Sequence, residues 1–425
     1  MDFPKKCNFA QKHLVRSFYS FLVQLAGHVL SVIALFNSKM ALFVHGRKMT
    51  FSSLEAAFSS TDKVIWMHVA SLGEYEQGLP VLQALKDRYP EKKFLLTFFS
   101  PSGYEVKKDK TPADVVVYLP LDTPKNVKRF LASSQLQLAI FIKYEIWPNY
   151  LWQLQKRSIP TVLVSGIFSK NQIYFKWYGG FMRKALGTFQ HYFVQENNSK
   201  KLLQGIGFEN VTVSGDTRFD RVSQILEQEH PLEFMEHFAK GQPCLVAGST
   251  WPEDEKIIVD YINQTKHDLK LIIAPHTIKP TPIETLKSSL QKKVSMYSSM
   301  ETEELEKSQV LIVDTIGLLT KIYAYAQFAY VGGGFATGLH NTLEPAVFGI
   351  PVIIGPEYQK FNEAIEMVAL GGLCSIKNGR EFSKTMDGFM ANPQLAEIKG
   401  KRNGDYIEQN RGATQKVLDY LETLL

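Results

Sequence analysis

Short apolar runs alternate with helical patterns from about residue 50 onward, and this alternation limits the possible folds more than any other feature. The first series of runs is Val64–Ala70, Phe94–Phe99, Val115–Leu119, Leu138–Tyr144, Thr161–Ser165, Tyr192–Gln195 and Val211–Ser214. The second series is Cys244–Gly248, Leu271–Ala274, Gln309–Val313, Phe328–Val331, Pro351–Ile354 and Leu373–Ile376. Helical patterns lie between most runs, for example at Thr123–Ser133, Ser199–Ile206, Asp254–Asn263, Thr281–Leu290, Leu318–Ala326 and Asn362–Leu370. Buried strands joined by helices favour mostly parallel sheets covered on both faces. The sequence therefore predicts an α/β protein with two Rossmann-like, doubly wound domains facing a central cleft.

The predicted division of the chain follows from where the alternation stops. The polar stretch Ser223–Gln242 lacks a strand and is interpreted as the connection between the domains. We therefore expect an N-terminal segment at 1–46, a first Rossmann-like domain at 47–225 and a second at 226–425. The helical stretch Gln394–Leu425 could cross back to the first domain.

Charge and cysteine content restrict the class of partner and the compartment. The net charge of the 425 residues is +6, and residues 1–48 carry seven bases against one acid, so the remainder is neutral overall. Such local basicity argues against nucleic-acid binding and indicates an anionic surface near the N-terminus. The three cysteines are far apart and form no zinc-type cluster, which favours a reducing, cytosolic location for the main body.

The segment Phe18–Phe36 is apolar and flanked by bases. Its 19 residues approach the roughly 20 that a helix needs to span a bilayer. Its polar members Ser20, Gln24, His28 and Ser31 share one helix face, which also suits a helix lying in the headgroup layer. The sequence predicts a membrane-associating helix and leaves spanning and interfacial forms open, beside an ordinary amphipathic helix docked on the first domain.

The first chemical candidate follows the first strand, where Ser71-Leu72-Gly73-Glu74 turns into a helix. The carboxyl edge of an open parallel sheet is where ligands bind. Unpaired N–H groups at the helix start favour an ionised Glu74, which could then act as a general base. The alternative is a first-turn Glu that only complements the helix dipole.

Two other strand ends of this domain carry charge. Lys143 and Glu145 follow the fourth run, beside Trp147 and Pro148. Arg218 follows the last run and could stabilise negative charge on a leaving phosphate. A salt bridge of Arg218 with Asp216 or Asp220 is equally consistent with the spacing.

The second domain has a glycine-rich strand end followed by Asn341-Thr342-Leu343-Glu344. Asn341 suits a helix N-cap, whose free N–H groups can hold a phosphate, and Glu344 could accept hydrogen bonds from sugar hydroxyls. Asp314-Thr315-Ile316-Gly317 follows another strand of this domain, with a plain turn as the alternative. Ala274-Pro275-His276 ends a further strand, where His276 could contact a base or phosphate, with a structural role as the alternative. The acidic run Glu253–Glu255 suits a helix start, and no metal site is predicted.

Several motifs together resemble the 3-deoxy-D-manno-octulosonic acid (Kdo) transferases, which have the GT-B fold. They are H-x-x-S-x-G-E at His68–Glu74, S-P-S-G-Y-E at Ser100–Glu105, E-I-W-P-N at Glu145–Asn149, G-D-T-R-F-D-R-V at Gly215–Val222 and G-L-H-N-T-L-E-P-A at Gly338–Ala346. The resemblance implies an inverting, metal-independent transfer of Kdo from CMP-Kdo to the lipid A precursor (lipid IVA). It also implies no cofactor, and a location on the cytoplasmic face of the inner membrane.

The resemblance assigns roles by position. Glu74 matches the proton acceptor, and Arg218 with the Lys143–Glu145 segment matches positions linked to transition-state stabilisation. Pro275-His276, Ile316-Gly317-Leu318 and Asn341-Thr342-Leu343-Glu344 match the CMP-binding segments. The sequence departs from many members at Lys143, Arg218, Pro275 and Leu318, where those members have an acid, Lys, Arg and Glu respectively.

Two rival functions fit the same architecture. One is another GT-B nucleotide-sugar enzyme, such as a hexosamine transferase or a sugar 2-epimerase, and an epimerase would need no lipid anchor. The other is a catalytically inactive membrane-bound binding protein, against which the presence of Glu74, Arg218 and Glu344 argues.

Overall fold

The computed structural model describes the backbone of residues 7–227, 231–336 and 338–425. The chain forms two compact units. The first domain comprises Met1–Arg221 and Gly412–Leu425, and the second comprises Val222–Arg411. The division after Arg221 compares with a predicted boundary after residue 225.

The first domain is built on a seven-stranded parallel sheet in the order β3-β2-β1-β4-β5-β6-β7. Its strands are β1 Val64–Val69, β2 Lys93–Phe98, β3 Val115–Tyr118, β4 Leu136–Ile142, β5 Thr161–Gly166, β6 His191–Val194 and β7 Val211–Val213. Its helices begin with α1 Cys7–Ile33, α2 Ser38–Ala57, α3 Leu72–Arg88, α4 Pro101–Lys107 and α5 Pro124–Ser133. They continue with α6 Pro148–Lys156, α7 Gly180–Leu186, α8 Asn197–Gln204 and α9 Arg218–Leu226, the last of which runs past the division.

Apolar layers cover both faces of this sheet, as the β-branched and aromatic runs predict. Trp66, Phe130, Phe141 and Tyr150 pack on one face. On the other face, the C-terminal helix, numbered α19 in chain order (Ala413–Leu421), adds Val417, Leu418 and Leu421 to the layer. The end of the chain is therefore part of the first domain.

The second domain has another seven-stranded parallel sheet, in the order β10-β11-β9-β8-β12-β13-β14. Its strands are β8 Cys244–Thr250, β9 Lys270–Pro275, β10 Val294–Met296, β11 Val310–Ile312, β12 Phe328–Val331, β13 Val352–Ile354 and β14 Leu373–Ser375. Its helices are α10 Glu233–Ala239, α11 Pro252–Gln264, α12 Pro280–Ser289, α13 Thr302–Lys307, α14 Leu319–Ile322, α15 Leu343–Ala346, α16 Asn362–Leu370, α17 Gly379–Ala391 and α18 Pro393–Gln409.

The two predicted α/β domains with parallel sheets are confirmed, and every predicted strand is present within two residues at each end. The arrangement of the domains about a central cleft stays a prediction. The prediction omitted α2 and the short edge strand β10. It also treated Ser223–Gln242 as a connection, whereas α9 and α10 occupy most of its described residues. The predicted helix over Leu318–Ala326 is the four-residue α14 followed by a 3-10 turn at Tyr323–Tyr325.

The N-terminal prediction is corrected in the extent of its helix. The apolar segment Phe18–Phe36 is not one helix, because α1 ends at Ile33 and Asn37 caps a new helix, α2. Within the described part of the chain, no helix has both the length and the hydropathy that crossing a bilayer requires.

Candidate active site

The carboxyl ends of β1 and β4 form the topological switch point of the first sheet. The chain leaves β1 toward β2 on one side and leaves β4 toward β5 on the other. Open α/β sheets bind ligands where neighbouring connections diverge in this way. Glu74 follows β1, and Lys143 and Glu145 follow β4, so three predicted site residues share this edge.

Glu74 lies in the first turn of α3, with its side chain folded back toward the strand. Its Oε2 accepts a hydrogen bond from the Ala70 N–H at 2.5 Å, and the residue is only 6% exposed. Burial raises the pKa of Glu74 to about 7, with Glu145 adding to the rise while the Ala70 N–H and Lys143 oppose it. The expectation that the helix start keeps Glu74 ionised is therefore wrong, because desolvation outweighs the helix N-terminus. A carboxyl group that titrates near neutral pH suits general-base work.

The turn after β4 carries its charges on a strained backbone. Lys143 has φ of 63°, in the left-handed region, while its N–H donates to the Val164 carbonyl at 2.9 Å. A non-glycine residue in that region costs on the order of 1 kcal/mol or more, and such residues gather at functional sites. This left-handed conformation turns the chain sharply at the edge of the sheet. Its strain supports a functional role for the turn.

His68, the first residue of the H-x-x-S-x-G-E motif, joins the two strand ends. It is fully buried on β1, and its Nδ1 lies 2.8 Å from Thr97 Oγ1. The Trp147 indole N–H donates to His68 Nε2 at 3.1 Å, so the proton of a neutral imidazole is on Nδ1. Glu145 Oε2 is 3.7 Å from the same Nε2. No local sequence pattern predicts this bond, because it joins side chains 79 positions apart.

The Arg218 side chain forms a salt bridge with a residue two positions earlier in the chain. It lies at the start of α9, and its Nε and Nη2 contact Asp216 Oδ2 at 2.9 and 2.8 Å. The Gln77 side chain on α3 approaches both carboxylate oxygens of Asp216 at 3.4 Å. The salt bridge between Arg218 and Asp216, one of the two alternatives for Arg218, is therefore confirmed. A role for Arg218 at a phosphate stays a prediction.

In the second sheet the switch point lies between β8 and β12, and a cluster of rings occupies it. The Trp251 indole stacks on the His276 ring, with centroids 4.6 Å apart and an angle of 19° between the planes. Trp251 Nε1 donates to His340 Nε2 at 3.2 Å, and the two imidazole centroids are 4.7 Å apart. Burial, then the neighbouring His276, lower the pKa of His340. His276 was predicted here, whereas Trp251 and His340 were missed.

Asp254 fixes the backbone around this cluster. It is fully buried and accepts hydrogen bonds from the Tyr330 hydroxyl at 2.6 Å and from the N–H groups of Trp251 and Gly333 at 2.9 Å. Gly333 has φ of 93°, and any side chain there would collide with the Gly338 carbonyl. The middle acid of Glu253–Glu255 therefore has a structural role.

The two other predicted segments of this domain meet through one carboxylate. Glu344 accepts hydrogen bonds from Asn341 Nδ2 at 3.0 Å and from Thr320 Oγ1 at 3.2 Å. Since Thr320 lies just after Ile316-Gly317-Leu318, the bond brings that turn beside Asn341–Glu344. Asn341 Oδ1 accepts the Leu343 N–H, but the N-cap of the four-residue α15 is Thr342, so the predicted cap lies one residue too early.

The residues of the three predicted CMP-binding segments differ in their exposure to solvent. Thr342 and Leu343 are buried, so they could meet a ligand mainly through the backbone, whereas the Ile316 side chain is 89% exposed. Pro275 ends β9, buried beside the more exposed His276. Among the described residues, no group of three or more His, Cys, Asp or Glu side chains is arranged to hold a metal ion.

Comparison with solved structures defines the class of this fold. The structure of a UDP-GlcNAc 2-epimerase from Neisseria meningitidis is similar, with a TM-score of 0.58 and 15% identity, over 85% of this chain and 100% of that one. At that identity the likeness concerns the fold alone. The two parallel-sheet α/β domains resemble the GT-B fold.

Sequence comparison gives the family. Residues 45–221 match the family model for 3-deoxy-D-manno-octulosonic-acid transferase (kdotransferase). A 3-deoxy-D-manno-octulosonic acid transferase of Aquifex aeolicus is 30% identical over 82% of this chain and 92% of its own length. The corresponding protein of Haemophilus influenzae is 28% identical over 85% of this chain and 87% of its own length. The chain belongs to the Kdo transferase family and is a glycosyltransferase.

Proposed function

We propose that the protein transfers Kdo from CMP-Kdo to a hydroxyl group of the lipid A precursor, lipid IVA. The observation that carries this proposal is Glu74, a buried carboxyl with a pKa of about 7 at the switch point of the first sheet. A hydroxyl group is a poor nucleophile at neutral pH and must lose its proton as it attacks. A base that titrates near the working pH suits this step.

The reaction is proposed as a single displacement with inversion. The acceptor oxygen bonds to the anomeric carbon of Kdo as the bond from that carbon to the CMP phosphate breaks. Glu74 takes the hydroxyl proton, and CMP leaves with the bonding electron pair. Lys143 and Glu145, which both affect the titration of Glu74, are proposed to act with it.

The donor is proposed to bind the second domain. The N–H groups at the start of α15 and the Gly317 turn would hold the CMP phosphate and ribose, with Glu344 accepting from a hydroxyl. His276 of the ring cluster would contact the anionic donor. Arg218 would stabilise negative charge on the departing phosphate while it keeps its salt bridge with Asp216.

No metal is proposed to take part. The family resemblance is the basis of this proposal, and charge on the leaving group is assigned to Arg218 and the helix start. Chelation is the test, since turnover in excess EDTA should equal turnover in added magnesium.

Membrane association is proposed to occur through α1, at the cytoplasmic face of the inner membrane. One face of α1 docks on the domain, where the Tyr19 hydroxyl donates to Asp122 at 2.9 Å and Asn149 Nδ2 donates to Ser20 at 3.2 Å. The opposite face exposes the apolar side chains Phe18, Leu22, Leu25, Val29 and Val32, at helical spacing. An apolar face on a docked helix favours the interfacial form over the spanning form.

The test is a product assay. The purified protein is incubated with a CMP-Kdo generating system and tetraacylated lipid A precursor, and the lipids are weighed by mass spectrometry. We expect a mass increase of one or more Kdo units, and NMR of the product reports the anomeric configuration. No added Kdo, together with turnover of a soluble UDP-sugar, would instead favour the epimerase alternative.

A further inference from the structure

The loop between β5 and α7, residues 169–179, exposes two large aromatic side chains and is here called the aromatic loop. Trp177 is 91% exposed, more than any other large hydrophobic side chain that the structure describes. Tyr178 is 60% exposed and Ile173 is 42% exposed. Exposing a Trp and a Tyr side by side forgoes the apolar burial that these residues normally provide, which indicates a surface meant to be covered.

The base of the aromatic loop is well anchored, so it holds these rings out from the domain. Tyr174 is buried, and the Arg183 guanidinium donates to the carbonyls of Tyr174 and Lys176 at 3.0 and 2.9 Å. The Gly179 N–H donates to the Lys176 carbonyl at 2.9 Å, and any side chain at Gly179 would collide with Ile173. The exposure of Trp177 and Tyr178 is therefore a property of an ordered turn.

The helix that follows the aromatic loop, α7, packs against α1. Phe181, just after the loop, contacts Tyr19 of α1 with ring centroids 5.5 Å apart, and Trp152 of α6 at 5.2 Å. Phe18 and Leu22, which flank Tyr19 on the helix, are 60% and 44% exposed. The aromatic loop is therefore joined through α7 to the docked side of α1, whose other side exposes apolar residues.

The charge around the aromatic loop indicates the kind of surface that covers it. The loop itself, residues 169–179, contains Lys170 and Lys176 and no Asp or Glu, and the Arg183 guanidinium binds its backbone. Acidic residues elsewhere balance this positive charge, so the net charge of residues 49–425, which is zero, does not show it. Trp and Tyr prefer the interface between water and bilayer, and lysines near an anionic bilayer strengthen binding about fivefold each.

We propose that Trp177 and Tyr178 form a second membrane contact in addition to α1, inserting into the headgroup layer of an anionic phospholipid bilayer. This proposal extends the proposed membrane association of the enzyme, and it would fix the orientation of the first domain at two points. The apolar face of a single interfacial helix fixes which side of that helix meets the bilayer but leaves the domain free to tilt, and a second contact limits that tilting.

Vesicle binding by the full chain tests the proposal. Vesicles of phosphatidylethanolamine and phosphatidylglycerol are sedimented with wild type and with the double variant Trp177→Ser/Tyr178→Ser. We expect the partition coefficient of the double variant to fall by about tenfold or more, as expected when apolar area at the interface is lost. Ile398→Ser, a 53% exposed apolar residue on α18, is the matched control and should bind like wild type.

A fluorescence measurement shows whether Trp177 itself enters the bilayer. Brominated lipids should quench part of the tryptophan emission of wild type, and Trp177→Phe should remove that part. Because both rings are exposed, the double variant should unfold at the wild-type temperature and keep its kcat on acceptor dissolved in detergent.

The proposal fails if the double variant binds anionic vesicles as tightly as Ile398→Ser and Trp177→Phe leaves the quenching unchanged. Equal binding of wild type to phosphatidylcholine vesicles would overturn its electrostatic part. Variants of the α1 face test that helix separately. Loss of binding in the aromatic-loop variant alone would support the second contact even if α1 made none.

Discussion

The Trp147 indole N–H donates a hydrogen bond to the buried Nε2 of His68 at 3.1 Å, which ties the turn after β4 to the core of β1. The Trp147 ring also lies against Phe99, with centroids 4.7 Å apart. Glu145 belongs to this turn and Glu74 follows β1. The bond therefore fixes the position of one carboxylate of the candidate site relative to the other.

Replacing Trp147 by Phe should lower the free energy of unfolding by about 1–3 kcal/mol, the cost of leaving a buried acceptor without its donor. Trp152→Phe is the matched control, because the buried Trp152 Nε1 has no hydrogen-bond partner among the residues that the structure describes. Urea unfolding of both variants measures the difference. Equal losses of unfolding free energy in the two variants would mean that only the smaller ring matters and that the hydrogen bond to His68 contributes nothing.

Replacing Glu74 by Gln should lower kcat by roughly 10²–10⁴-fold, the usual contribution of a positioned general base. The amide keeps the shape and can still accept the Ala70 N–H, so folding and CMP binding should be nearly unchanged. Single-turnover kinetics measure the chemical step directly.

Glu76→Gln is the control for that measurement, since it makes the same change two residues along α3. Glu76 pairs with Lys107 at 2.9 Å and with Arg221 at 3.4 Å, and its side chain is 34% exposed. Ion pairs of that exposure contribute little, so turnover should stay within about twofold. If Glu74→Gln kept more than half of the wild-type rate, Glu74 would not be the base, and His68 would be tested next.

The sequence predicted the fold well because the signal is local. A buried parallel strand is a run of consecutive apolar residues, so strands such as β12 could be located closely. The edge strand β10 was missed because Val294–Met296 is short and only Ser295 is buried. α2 was missed because its apolar residues do not form one stripe.

The site was predicted less completely, because its properties depend on distant residues. The motif gave the position of Glu74, but the rise of its pKa comes from burial and from Glu145, which the sequence does not show. Trp251 meets His340 across 89 positions, and no local pattern marks that bond. The bases of the aromatic loop were overlooked because a net charge summed over many residues does not show where the individual charges lie.

Replacing Asn341 or Glu344 by Ala should weaken CMP binding by roughly tenfold to a hundredfold. Each change removes a candidate ligand contact and also the Asn341–Glu344 hydrogen bond of 3.0 Å. Hydrogen bonds to charged groups are worth about 1.5–3 kcal/mol, which corresponds to this range. Titration calorimetry with CMP measures it.

Glu74→Gln and Glu397→Ala, the latter exposed on α18, should bind CMP like wild type. Unchanged affinity in both the Asn341 and the Glu344 variants would mean that the nucleotide lies elsewhere.

Replacing Phe18, Leu22 and Leu25 together by Ser should lower vesicle binding by at least about tenfold, because the exposed apolar face of α1 loses its area. Gln24→Ser with His28→Ser changes exposed polar positions of the same helix and should have little effect. Point changes are preferable to deleting residues 1–40, since deletion would uncover Asp122 and Asn149. Undiminished binding by the triple variant would argue against α1 as the anchor.

Glu74 should make the stability of the protein depend on pH in a direction opposite to that of most carboxylates. Its pKa in the folded state is about 7, against an ordinary value of 4.5. The folded state therefore binds the proton more tightly, and this stabilisation is complete below pH 4.5 and lost as pH rises through about 7. Gln cannot ionise, so Glu74→Gln should match wild type near pH 4.5 and exceed it at pH 8.5 by up to about 3 kcal/mol.

Urea unfolding at several pH values measures this difference, with Glu76→Gln expected to follow wild type throughout. The kcat/KM of wild type should rise with pH through an apparent pKa near 7, because the basic form of Glu74 is the active one. Parallel stability curves for wild type and Glu74→Gln would show that Glu74 carries no raised pKa, and the general-base proposal would lose its main support.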